Sequence, residues 1–225
     1  MNVRDQLGAF LEKLKRLAAI AFDLMALNLL FILCCVPVVT AGAAAVACYS
    51  CILRMLRGKE QGMPFGAFFK DFARAFKTAT PVWLVLLLCM LILAGDYFYA
   101  VYVAVPVNRF FLIFAIVMAV VLLAAAAWVF PLMARFENTA RAHVKNAFLM
   151  AFANLPRTIS ALAIQAACLL MPVLLQTIFY VFGWLWLLLC FSGAMYLTAY
   201  VLRKPLQALP PEKPEEKKEV FPEFP

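Results

Sequence analysis

The chain has 225 residues, 67% hydrophobic and 14% charged, with a mean hydropathy of +0.93. A soluble domain is roughly half apolar, so this composition excludes an ordinary water-soluble globule. The formal net charge of +8 would suggest nucleic-acid binding in a soluble protein. Here the Lys and Arg sit between apolar runs, where the positive-inside rule accounts for them, and no nucleic-acid partner is expected.

The apolar residues fall in runs nearly free of charge, and runs of about 18 or more read as bilayer spans. In hydrocarbon every backbone N–H and C=O needs a partner within the protein, which a helix supplies. A membrane barrel would need alternating strands of about ten residues, and none is visible. The expected fold is an all-α, polytopic transmembrane helical bundle with six spans and amphipathic interfacial helices on its cytoplasmic side.

In residues 2–16, Val3, Leu7, Phe10, Leu11, Leu14 and Leu17 recur at helical spacing with Arg4, Asp5, Glu12, Lys13, Lys15 and Arg16 between them. This pattern predicts an amphipathic helix on the inner leaflet. Span one is 17–36. It imitates a signal peptide, with Ala43, Ala44 and Ala45 after it. The run is too long, contains Asp23 and follows a charged segment, so no cleavage is expected. Pro37, Thr40 and Gly42 mark a turn. Span two, 39–56, is rich in Ala and Gly, and small residues permit close helix approach in membranes. The two spans form a hairpin without charge in its turn. A re-entrant hairpin would leave four or five spans.

Residues 57–79 are expected to form a polar loop and a second amphipathic helix with an aromatic stripe of Phe65, Phe68, Phe69, Phe72 and Phe76. Lys70, Arg74 and Lys77 lie off that stripe. Span three is 80–103, a turn holds Pro106 and Asn108, and span four is 110–133. Residues 134–156 repeat the device: Arg135, Arg141, His143 and Lys145 alternate with Phe136, Val144, Phe148 and Phe152, and Pro156 closes the segment. Span five is 157–180, with a tight turn at Gly183, and span six is 184–202. Residues 1–203 form one membrane domain. The tail, 204–225, rich in Pro, Glu and Lys, lacks a packable pattern and is expected to be disordered. Short echoes such as Phe72-x-x-Ala75-Phe76 and Phe148-x-x-Ala151-Phe152 suggest three units of surface helix followed by hairpin.

With these spans, nineteen of the twenty Lys and Arg fall on one side and only Arg109 on the other. That split predicts a multi-pass protein with both termini in the cytoplasm and an even number of spans.

Ionisable residues inside spans are functional candidates by default. Asp23 lies roughly 9 Å and Asp96 roughly 24 Å along their spans at about 1.5 Å per residue, so they do not form one carboxylate pair. Asp23 can reach Arg54 or Arg135 as an ion pair, and Asp96 lies beside Tyr97 and Tyr99 at the outer interface. Asn28, Gln165 and Gln176 either line a polar pathway together with Asp23 and Asp96 or make interhelical hydrogen bonds. The seven cysteines, Cys34, Cys35, Cys48, Cys51, Cys89, Cys168 and Cys190, all lie in spans and read as small apolar packing residues. Cys48 and Cys51 form a C-x-x-C, but no neighbouring His or cation would stabilise a thiolate. One histidine, no metal motif, no phosphate loop and no nucleophile elbow argue against an enzyme, a metal site or a cofactor.

The aromatic-basic cytoplasmic helices can anchor on lipid or dock a partner, as coupling helices of ABC permeases do. Asn154-Leu155-Pro156 faintly resembles the end of that permease loop, but the upstream glycine is absent.

Several segments together resemble the YesL family of bacterial membrane proteins. They are Asn28-Leu29-Leu30 followed by Cys35-Val36-Pro37-Val38-Val39-Thr40-Ala41-Gly42, and Phe68-Phe69-x-x-Phe72-x-x-x-Phe76-Lys77. Further along come Pro131-Leu132-x-x-Arg135-Phe136-Glu137-Asn138, Lys145-Asn146-Ala147 and Asn154-Leu155-Pro156. Phe31 stands where a tryptophan is common, and Ala75 where a polar residue is frequent. The resemblance implies a protein of the bacterial plasma membrane with an accessory role in glycan or oligosaccharide uptake. Together with the three surface helices on one side, it leads to the expectation of a non-enzymatic protein with ABC importer subunits as partners and Arg135, Glu137 and Asn138 fixing the second loop. The alternatives are a small, self-associating transporter using Asn28, Thr40, Gln165 and Asp96, and a membrane scaffold.

Overall fold

The computed structural model describes residues 3–58, 65–103, 109–174 and 176–209. They form an all-α bundle of seven helices, with no strand among the described residues. The helices are α1 (Val3–Cys35), α2 (Ala41–Leu56), α3 (Phe65–Phe98), α4 (Arg109–Arg135), α5 (Ala140–Ala153), α6 (Leu155–Leu174) and α7 (Gln176–Ala208). A 3₁₀ turn, Val38–Thr40, joins α1 to α2, and a π-helical turn, Tyr99–Val103, follows α3. Among the described residues, all but α5 are long and apolar enough to cross a membrane, which gives six spans. The chain is therefore a multi-pass integral membrane protein, and the large exposed side chains along α3 and α4, such as Val85, Leu88, Leu91, Ile113 and Val117, are the surface it gives to lipid.

At the centre stands α2. Every residue from Gly42 to Leu53 is buried, and α1, α3, α4 and α7 pack around it. Its Ala-rich sequence explains that position, because small side chains let four neighbours approach one backbone. The approach is tightest at Gly42. A methyl there would sit 2.9 Å from the Ala79 carbonyl oxygen and 3.0 Å from Trp83 Cγ, and closer still to Trp83 Cβ. At the other end of α2, Gly58 adopts φ +69° and its N–H reaches the Met55 carbonyl at 3.0 Å. A left-handed residue there ends the helix, which glycine does at no steric cost.

Two of the three expected surface helices are not separate elements. The amphipathic segment 2–16 continues into span one as α1, and the Phe-rich segment before Pro81 continues into span three as α3. No helix breaker lies at the first junction. Pro81 stands inside α3, where it removes one backbone donor without ending the helix. At about 1.5 Å per residue, 33 or 34 residues make roughly 50 Å, longer than the roughly 30 Å hydrocarbon layer. Their first turns therefore extend beyond it. Only α5 is a separate short helix. Thr139 caps its start, its side chain accepting from the Ala142 N–H, and Asn154 ends it.

Helix α6 is described to Leu174 and α7 from Gln176, and Gly183, expected at a tight turn, lies inside α7. The tail expected from 204 begins later, because α7 runs on to Ala208, and Leu206 is fully buried. Residues 210–225, and with them most of the expected disordered tail, lie outside the described residues, as do Pro106 and Asn108.

Candidate functional site

Polar side chains meet in two places, one within the bundle and one at its basic end. Within the bundle, Asn28 is buried at 1% exposure. Its Nδ2 donates to the Leu187 carbonyl at 2.7 Å, and its Oδ1 accepts from the Ser192 N–H at 3.0 Å. The amide thus spans two backbone groups five residues apart on α7. The Ser192 hydroxyl returns a bond to the Leu24 carbonyl at 2.8 Å. Asn28, a family-motif and pathway candidate, is a clamp between α1 and α7. Thr40, the next candidate, has its hydroxyl within reach of the Cys34 and Pro37 carbonyls, the latter at 2.7 Å. It ties the turn to Pro37. The Trp83 indole donates to Val38 O at 2.7 Å and fastens the same turn to α3.

At the basic end the central feature is Asp71, which is 7% exposed. Arg54 Nη1 at the end of α2 lies 2.6 Å from its Oδ2, close in distance but off the hydrogen-bond line. Arg74, one turn along α3, lies 3.2 Å from Oδ1 and also 3.2 Å from Glu137 in the α4–α5 loop. One carboxylate and one arginine therefore join three elements. On the same helix the Phe68 and Phe72 rings stack at 6.3 Å between centroids, and Phe76 lies 6.0 Å from Phe72, tilted by 54°. Arg135 lies over the Phe136 ring at 5.3 Å. Asn138 and the buried His143 line a cavity of about 270 Å³ together with Leu132 and Leu209. Pro156 opens the first turn of α6, where the Trp128 indole donates to the Thr158 hydroxyl at 2.9 Å and that hydroxyl reaches the Ala151 carbonyl at 2.9 Å. This chain of bonds fixes α5 and α6 against α4.

The polar-pathway candidates are not brought together. Asp23 is half-buried and pairs with neither Arg54 nor Arg135: the first is taken by Asp71 and the second faces Phe136. Gln165 lines a mostly apolar cavity of about 260 Å³ with Tyr49, Trp83 and Phe130. Asp96 and Gln176 are exposed at other points of the surface. The cysteines also differ from expectation. Cys48 and Cys51 are buried thiols outside any disulfide, and contrary to expectation a cation does neighbour them, since Arg54 Nη2 donates to Cys51 Sγ at 3.3 Å. Cys168 and Cys190 form a disulfide between α6 and α7 with Cα atoms 6.3 Å apart. Among the described residues no cluster of three or more His, Cys, Asp or Glu could hold a metal.

Sequence reasoning missed Asp71, Ser192, Thr158 and the Cys168–Cys190 pair. Asp71 carried a signal: it is the one acidic residue in a basic, Phe-rich stretch, three residues before Arg74. The other three reveal themselves only through partners on distant helices.

The arrangement defines a polytopic helical membrane protein with its polar side chains spent on holding helices together. Residues 24–97 match the sequence model of a family described as "protein of unknown function, DUF624". The match takes in Asn28, the Pro37–Gly42 turn, the whole of α2, and Asp71 with its partners Arg54 and Arg74, while Glu137 lies outside it. Comparison with curated proteins and with solved structures gave no match.

Proposed function

We propose that the chain is a YesL-type, non-enzymatic accessory protein of the bacterial plasma membrane. It stands with both termini in the cytoplasm and serves a carbohydrate importer by docking its cytoplasmic subunits. The observation that carries this reading is the two-sidedness of α3 at the basic end. Phe68, Asp71 and Ala75 face inward and are buried, while Phe65, Phe69 and Phe76 are exposed among Lys70, Arg74 and Lys77. Aromatic and Arg side chains are the residues that dominate protein interfaces. The buried Asp71, paired with Arg54 and Arg74, fixes α3 against α2, so the backbone that carries this face is already ordered before docking. The nineteen-to-one division of basic residues supports the cytoplasmic placement of that face. A transport pathway through the bundle is less well supported, because Asn28 and Thr40 are already spent on backbone partners.

The test is affinity purification of the full chain in mild detergent. Importer permease or nucleotide-hydrolysing subunits should copurify, and a Phe65→Ser, Phe69→Ser, Phe76→Ser variant should lose them at unchanged melting temperature. No partner above background with the wild-type chain would sink the proposal.

A further inference from the structure

A second feature lies outside both polar clusters. Between α3, α4 and α5 runs an open groove of about 490 Å³. Pro81, Val82, Val85, Leu86 and Cys89 of α3 line one wall, one stripe at helical spacing. Leu122 of α4 and Val144 and Phe148 of α5 complete it. The walls are almost wholly apolar, and two of the lining residues, Arg141 and Lys145 of α5, carry positive charge. Both cations are exposed. Among the described residues, the ion pairs of this region join Arg54, Arg74, Asp71 and Glu137 and include neither of them.

Arg141 and Lys145 stand four residues apart on one face of α5, where like charges repel and weaken the helix. An anion between them reverses the sign of that interaction. The opposite end of the groove lies among spans, where the solvent is hydrocarbon. A ligand that satisfies both ends carries a negative head and an apolar chain.

We propose that this groove binds one anionic phospholipid, with its phosphate between Arg141 and Lys145 and an acyl chain along the Pro81–Cys89 stripe. The site selects phosphatidylglycerol over phosphatidylcholine of the same chains. It holds α5 against α3 and α4, so the occupied protein melts higher.

The experiment is native mass spectrometry of the full chain in neutral detergent, titrated separately with phosphatidylglycerol, phosphatidylcholine and glycerol phosphate. The first phosphatidylglycerol should bind more tightly than phosphatidylcholine, and glycerol phosphate should not compete with it. An Arg141→Gln, Lys145→Gln variant should lose roughly 30-fold in phosphatidylglycerol affinity and little in phosphatidylcholine affinity. Val85→Trp, which fills the groove and leaves the charges, should weaken both lipids. A Lys13→Gln, Arg16→Gln variant controls for diffuse charge attraction and should bind as wild type. Equal loss in that control, an unchanged headgroup preference in the Arg141, Lys145 variant, or full competition by glycerol phosphate would each overturn the site.

Discussion

Adding one methyl group at Gly42 tests whether the bundle is built around a closely approached α2. In Gly42→Ala the new carbon meets the Ala79 carbonyl oxygen at 2.9 Å, Trp83 Cγ at 3.0 Å and Trp83 Cβ closer still. None of these is the free end of a flexible side chain. The carbonyl is helix backbone, and Trp83 Cβ is one bond from it. Relief requires α2 and α3 to move apart, which also strains the Trp83 to Val38 hydrogen bond at 2.7 Å. Overpacking of this kind costs about 1–3 kcal/mol, and a weakened hydrogen bond about 1 kcal/mol more. Replacing Gly by Ala within a helix returns about 1 kcal/mol. The net expectation is a loss of about 2 kcal/mol, or roughly 4–8 °C in melting temperature for a chain of this size. Gly193→Ala is the control: it sits on α7 with nothing within 4 Å of the new methyl, so it keeps the propensity gain without the clash. Thermal melts of both variants in one detergent isolate the steric effect as their difference. A Gly42→Ala protein melting at or above the Gly193→Ala protein refutes the close-approach argument.

Three further outcomes are expected. In double-mutant cycles by thermal denaturation, the Arg54–Asp71 pair, 28% and 9% exposed, should show a coupling of about 1–2 kcal/mol, between the values of buried and exposed pairs. The Arg74–Glu137 pair, 53% and 83% exposed, should show less than about 0.5 kcal/mol, and the reverse order would contradict the assigned network. Asn28→Leu should destabilise the protein by about 1–2 kcal/mol by stripping partners from Leu187 and Ser192, and an unchanged melt would remove its role as a clamp. Maleimide labelling of the denatured chain should add five groups without reductant and seven after reduction, read by intact mass; seven without reductant would exclude the Cys168–Cys190 bond.

Much of the architecture is legible in the sequence because hydrocarbon admits so few solutions. Six apolar runs had to be six helices, and the Ala-rich second run announced close packing. The fusion of the amphipathic segments with α1 and α3 was not legible. Both halves of each fused helix share the 3.6-residue period, and no breaker marks the junction near Leu17. Gly183 misled in the opposite direction, since glycine is common within membrane helices and here lies inside α7. The polar residues split along the same line. Asn28 was identifiable as a candidate from its type and depth, but its partners lie 159 and 164 residues away. Asp71 was passed over because its importance comes from Arg54 on another helix. Asp23, conspicuous in the sequence, found no cation.

The Asn28 clamp also bears on how the molecule is assembled. It joins the first helix to the last, across a separation of 164 residues. While the chain is being made, α1 and the helices after it can enter the bilayer, but the Asn28 amide has no α7 to bind. An unpaired amide in hydrocarbon costs several kcal/mol, so α1 lacks this fastening until α7 is delivered. Closure between α1 and α7 thus awaits the synthesis of α7. A chain stopped before Leu187 would leave the Asn28 amide without either of its α7 partners.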